Sequence, residues 1–278
     1  MNRPLITSLT NPLIKKTRSL RQRKARAETG LFLAEGLHHV GEALEAGWEI
    51  DLILYSPDVL TSDFARDLIS RVASAAQPGG VMPPVHNATG MSPVVQPVSV
   101  TVMESLADKE NPQGILAVVH QKLTRLDEIE SIRIGAAVVS PQDPGNIGTI
   151  LRTLDAVGAD ALFLLDGGVD PYHPTSVRAS MGTIFWKPIV QTSFDECMDW
   201  SRRGGYQRIA TSAHATQNYH ELRPHAPWIL VLGSEQKGLS MEYLKACDVN
   251  VSLPMRGRAS SLNLAVAAGI LLYQFASV

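Results

Sequence analysis

Five short apolar runs, at residues 136–140, 161–165, 209–213, 228–232 and 249–253, mark the second half of the chain. Runs of this length, bounded by glycine, proline and polar clusters, predict strands buried on both faces. Helical spacing appears between them: Ile147, Ile150, Leu151 and Leu154 share one face, and Arg152 lies off it. Strands alternating with helices predict an α/β fold, a mostly parallel sheet with helices on both faces. The first part reads as a smaller α/β unit. Asn11-Pro12 opens a helix, 31–36 is a strand and turn, 38–46 a helix, 50–55 a strand, 63–75 a helix and 115–119 a strand. Residues 76–98 carry five prolines, three glycines and no charged residue, which predicts a long loop or insertion. The polar stretch after residue 120 gives a division into 1–122, a linker at 123–131, and 132–278.

Composition narrows the class. At 45% hydrophobic and 19% charged over 278 residues, the sequence is that of a globular protein. Its two cysteines, Cys197 and Cys247, and its scattered histidines show no metal-ligand spacing, so no metal is expected. The unbroken apolar stretch near the C-terminus runs only over 264–273, short of the roughly 20 residues of a bilayer span. It predicts a core or interface helix and no membrane partner. The basic start has no apolar signal core, so a cytoplasmic protein is expected. Net charge is −2, yet eight basic residues and no acidic one precede Glu28. Lys15, Lys16, Arg21 and Lys24 stand among them. Such a cluster is a solvated helix face or a phosphate-binding surface.

Three strand ends carry candidate chemistry. The first breaks into Pro141-Gln142-Asp143-Pro144-Gly145-Asn146, the second into Gly233-Ser234-Glu235-Gln236-Lys237-Gly238, and the third into Pro254-Met255, with Ser260, Ser261 and Asn263 opening the last helix. In open α/β sheets ligands sit at the carboxyl ends of strands, and a helix N-terminus offers free N–H groups. Neither a dinucleotide G-x-G-x-x-G nor a phosphate loop fits: in the 233–238 segment Leu239-Ser240 stands where Lys-Ser/Thr is required.

These segments resemble the three signature motifs of the SpoU (TrmH-type) RNA ribose 2′-O-methyltransferases of the SPOUT superfamily. Asp143 to Thr153 resembles the first motif, Leu232 to Leu239 the second, and Leu253-Pro254-Met255 with Ser261-Leu262-Asn263 the third. Arg178-Ala179-Ser180-Met181-Gly182 is similar to a run found in members acting on RNA ribose. Ala265 stands where many members carry a second serine. The opening around Asn11 to Lys16 resembles the RNA substrate-binding domain that precedes many such catalytic domains. The resemblance implies a C-terminal trefoil knot, S-adenosylmethionine as cofactor, a homodimer, and RNA as partner, ribosomal RNA favoured over transfer RNA. It implies catalytic roles for Arg152, Asn146, Glu235, Ser261 and Asn263. Cofactor contacts would fall to Gly233, Leu253, Met255, Leu262 and Thr211, and RNA contacts to Lys15, Lys16, Arg21, Lys24 and Arg178. The family assigns the matching arginine a general-base role. A guanidinium stays protonated in proteins, so its chemistry suits phosphate binding and charge stabilisation instead. Asn146 can cap its helix or orient Arg152 or the ribose, and Glu235 can hold Arg152 or a cofactor group. Glycine at 233 would let the main chain approach the ligand. Two other functions fit the same fold: a non-catalytic RNA-binding protein and an RNA base methyltransferase.

Overall fold

The computed structural model describes residues 3–60, 63–75, 93–107 and 113–277. Asn11 caps the first helix, its Oδ1 accepting from the Leu13 amide at 2.9 Å, with Pro12 at the first helical position. The first unit then runs α1 (Pro12–Ser19), α2 (Arg23–Thr29), β1 (Leu31–Glu35), α3 (Leu37–Glu45), β2 (Ile50–Tyr55), α4 (Asp63–Ala75), β3 (Val94–Pro97), α5 (Val100–Leu106) and β4 (Ile115–His120). Its sheet has the order β1-β4-β2-β3, antiparallel except for the β2–β3 pair. Ile14, Leu20, Leu33, Leu54, Met103 and Leu116 meet in one core. The end of the 76–98 stretch is thus a strand rather than loop. Proline at 97 is tolerated there because β3 is an edge strand and Pro97 its last residue. Residues 76–92 lie outside the described residues.

The second unit contains β5 (Ile134–Val139), α6 (Pro144–Ala156) and β6 (Ala161–Leu165). After α7 (Pro174–Ala179) come β7 (Ile189–Thr192), α8 (Phe194–Arg203), β8 (Gln207–Thr211), β9 (Gln217–Asn218), β10 (Trp228–Leu232), α9 (Met241–Ala246), β11 (Val249–Ser252) and α10 (Leu264–Ala276). Seven strands pair in the order β7-β6-β5-β10-β8-β11-β9, and every pairing is parallel. All six residues of β5 are buried, so both faces of the sheet are covered. Phe194, Cys197 and Met198 of α8 pack with Ala137, Phe163 and Val231. The stripe Ile147, Ile150, Leu151 and Leu154 of α6 is wholly inaccessible, each side chain contributing about 1.5–3 kcal/mol. α6 packs on α10 and on β6.

The compact units are Met1–Lys122 with Tyr172–Trp186, and Leu123–Pro171 with Lys187–Val278. Residues 172–186, which the sequence division leaves in the second part, cluster with the first. Aromatic packing is the reason: Tyr172 lies 4.5 Å from Phe32 between ring centroids, and the Trp48 indole donates to the Phe185 carbonyl at 2.8 Å. Residues 123–131 include a short 3-10 turn at Leu126–Glu128 and belong to the second unit.

Candidate active site

The site begins where the strand order changes direction. β5 has β6 on one side and β10 on the other, so the loops leaving β5 and β10 diverge and leave a crevice. Ser140 carries the chain out of β5 in a left-handed conformation, φ +45°. Asp143 then caps α6, its Oδ1 accepting from the Gly145 amide at 2.7 Å. That frees Asn146 from the capping role, and it is buried in the first turn, 5% exposed.

Asn146 joins the three strand ends. Its Nδ2 donates to Glu235 Oε1 at 2.9 Å, and its Oδ1 accepts from Asn263 Nδ2 at 2.9 Å. Glu235 also accepts from the Gln142 amide at 3.0 Å and the Asp143 amide at 3.1 Å. Asn263 caps α10 through the Ala265 and Val266 amides, at 2.9 and 3.3 Å. The loops after β5 and β10 and the start of α10 are therefore tied into one chain of hydrogen bonds. Burial pushes the Glu235 carboxyl up, but bonds from the Asn146 side chain and the Asp143 and Gln142 amides outweigh it and hold the pKa below the usual carboxylate range. Glu235 is thus an ionised acceptor that positions Asn146 and the 142–143 backbone. It does not hold Arg152.

A cleft of about 800 Å³ lies beside this chain, within the roughly 300–1,000 Å³ typical of small-molecule sites. Gly233, Leu253, Met255, Leu262 and Thr211 all line it, as do Asn146, Glu235, Ser261 and Asn263. Sequence reasoning passed over Gln142, Leu232, His214 and Leu271, which also line it. Gln142 and Leu232 adjoin the motifs and could have been found by that adjacency; His214 and Leu271 carry no such signal. Glycine at 233 has a steric reason within the loop. A Cβ there would lie 2.1 Å from the Gly238 carbonyl carbon and 2.4 Å from the Leu239 nitrogen. Two passes of the same loop thus approach closely at Gly233, which also lines the cleft.

Arg152 sits elsewhere on α6. It is exposed, lies about 9 Å beyond Asn146 along the helix axis, and does not line the cleft. The neighbouring Asp155 pairs with Lys187 at 3.2 Å. In the first unit Lys15, Lys16 and Lys24 are exposed on α1 and α2, and Arg178 is exposed on α7. Arg21 differs: it is half-buried and its Nη2 donates to the Ala107 carbonyl at the end of α5. Arg26 is buried and donates to the Leu20 and Arg21 carbonyls. Among the described residues no group of three His, Cys, Asp or Glu could hold a metal ion, and no helix is long and apolar enough to cross a membrane.

A parallel α/β sheet whose diverging loops are bonded around a cleft of small-molecule size defines a ligand-binding domain. Residues 134–273 match the SpoU rRNA Methylase family, and residues 11–117 match the MRM3-like substrate binding domain. The chain belongs to the SpoU rRNA methylase family. It is 34% identical over 263 residues to the Streptomyces viridochromogenes 23S rRNA (uridine(2479)-2'-O)-methyltransferase, covering 92% of this chain and 85% of that one. It is 31% identical over 268 residues to the Bacillus subtilis (strain 168) 23S rRNA (guanosine(2553)-2'-O)-methyltransferase RlmP, covering 96% and 97%. Among solved structures it is similar to the AdoMet bound rRNA methyltransferase from Sinorhizobium meliloti, with a TM-score of 0.85, 33% identity, and 98% and 96% of the two chains covered.

Proposed function

We propose that this protein transfers a methyl group from S-adenosylmethionine to a ribose 2′-OH of ribosomal RNA. The observation that carries the reading is the Glu235–Asn146–Asn263 chain, which holds three family motifs around one cleft. The cleft fits the cofactor: apolar Leu232, Leu253, Met255, Leu262 and Leu271 can cover a nucleoside face, and polar side chains share the lining. S-adenosylmethionine supplies a methyl already activated on a sulfonium. The protein's work is then to align the acceptor and raise its nucleophilicity.

Gly233, Leu253, Met255, Leu262 and Thr211 form the cofactor wall in this reading, and Ser261 and Asn263 contact the RNA beside it. Arg152, outside the cleft, binds the phosphate next to the target ribose and stabilises charge on the 2′-oxygen. Lys15, Lys16 and Lys24 with Arg178 hold more of the RNA backbone. The protein works in the cytoplasm as a homodimer, and the trefoil knot belongs to the same reading. Support for a dimer comes from α10, where Val266, Ile270 and Tyr273 form an exposed apolar row at i, i+4, i+7.

Two measurements test the activity. Calorimetry in chelator should give one S-adenosylmethionine site per chain. Labelled cofactor incubated with unmodified ribosomal RNA, followed by nucleoside analysis, should give label on a ribose. Label on a base, or binding of neither the cofactor nor its demethylated product, would reject it.

A further inference from the structure

We propose that Trp186, with Met181 beside it, is a stacking platform for an unpaired base of the RNA. This rests on the RNA-methylating function proposed above and names a contact within the first unit. Trp186 is 49% exposed and Met181 46%.

Both are fixed on one face of α3. The Trp186 indole Nε1 donates to Glu42 Oε2 at 2.6 Å. One turn earlier, His38 Nε2 bonds the Met181 carbonyl at 2.9 Å. His38 Nδ1 lies 3.7 Å from Glu42 Oε1, so the two anchors are i, i+4 neighbours about 5–6 Å apart. Met181 is held at φ +49°, a conformation non-glycine residues keep only where their surroundings over-determine it. Gly182 follows at φ +87°, where a Cβ would lie 2.6 Å from Glu42 Cγ and 3.2 Å from Glu42 Cβ. The segment thus lies flat on the helix, and its backbone geometry turns Met181 outward.

The chemistry selects the occupant. A rigid aromatic ring with its polar edge already satisfied offers a π surface, and every base has a π face to set against it. Arg178, exposed three residues before Met181, supplies charge for an adjoining phosphate. α3 itself falls within the match to the substrate-binding domain. A paired base has both faces occupied by its stack, so the platform is specific for single-stranded or extruded nucleotides.

Tryptophan fluorescence of the full-length chain reads this directly. Trp48 and Trp228 are buried, and Trp200 is stacked on Tyr206 with ring centroids 4.7 Å apart. Trp186, at 49%, is therefore the most exposed of the four tryptophans, and the Trp186 variants assign the signal to it. Single-stranded hexa-adenylate should quench the emission, and a long, stably paired RNA duplex at equal nucleotide concentration should not. Trp186→Ala should weaken hexa-adenylate binding roughly 5- to 150-fold, the range for losing one base–aromatic stack. Trp186→Phe should keep most of the affinity. Glu42→Ala, which frees the ring, should fall between them, and Glu42→Gln, which keeps an acceptor, should stay near wild type. Far-UV circular dichroism should match wild type in all four, which shows that they fold, and S-adenosylmethionine affinity should be unchanged. Undiminished hexa-adenylate binding by Trp186→Ala, or equal quenching by duplex, overturns the platform while leaving methyl transfer intact. A wild-type chain that binds neither cofactor nor RNA overturns the function as well.

Discussion

At the scale of the residue, Arg152 and Glu235 divide the labour between chemistry and architecture. Arg152 is exposed and outside the cleft. Arg152→Ala is expected to abolish methyl transfer while calorimetry finds cofactor affinity unchanged. Arg152→Lys keeps charge without the guanidinium fork, so activity should fall strongly yet persist, with a flat rate against pH. A steep alkaline recovery toward lysine's ordinary pKa of ~10.4 would establish proton abstraction instead. Glu235 has the opposite profile. Its carboxylate serves the Asn146 side chain and two backbone amides, and its pKa sits below the ordinary ~4.3. The stabilisation is complete above that ordinary value and is lost as pH falls through the lowered one. Glu235→Gln turns an N–H toward groups that need an acceptor. It should cost about 0.5–1.5 kcal/mol in denaturant unfolding at neutral pH, since Glu235 is exposed and water takes up part of the lost bonding, flatten the acid limb of stability, and weaken cofactor binding.

At the scale of the element, the loop from Gly233 to Gly238 is held by packing against itself. Gly233→Ala would drive a methyl into the Gly238–Leu239 backbone. It is expected to destabilise the fold by about 1–3 kcal/mol or more and to remove cofactor binding, read by thermal shift with and without cofactor. The basic helices divide by their partners. Lys15, Lys16 and Lys24 replaced by Gln should weaken RNA binding and lower the log–log salt slope by about 0.7–0.9 for each phosphate no longer neutralised, with folding unaffected. Arg21→Ala should act on stability, because it removes the donor to the Ala107 carbonyl. Sequence pattern showed what is local and periodic. The α6 stripe and the cap at Asn11 were legible because their signals lie within one or two turns, the strands β5, β6, β8 and β10 because each holds an apolar run, and β11 because Val249 and Val251 alternate with polar residues. β7 was not, since it is four residues long with Gln191 exposed. α5 was missed because its Val-Thr-Val start reads as strand until Ser99 is seen to cap it, accepting from the Val102 amide at 3.4 Å. The site residues were legible as motifs, but their wiring was not. Asn146 and Asn263 are 117 positions apart, and no local pattern says that one amide accepts from the other.

At the scale of the whole molecule, the row Val266, Ile270 and Tyr273 is the place to test assembly. Ile270→Asp should convert a sedimenting dimer to a monomer, with Leu271, Leu272 and Phe275 still buried beneath, so that cofactor-independent unfolding changes little. A wild-type monomer with full activity would reject the dimer. The first unit has a further property, set by where its pieces lie along the chain. Its core needs Tyr172 and Phe185, which close over Phe32 and Trp48, although β4 has ended by His120. A ribosome adding about 5–20 residues per second delivers that closing segment several seconds after β4. During this interval the nascent chain carries a nearly complete sheet with its aromatic face open to water. The order of synthesis therefore leaves Phe32 and Trp48 without their closing rings for that interval, and a chain ended at Lys122 would leave them so for good.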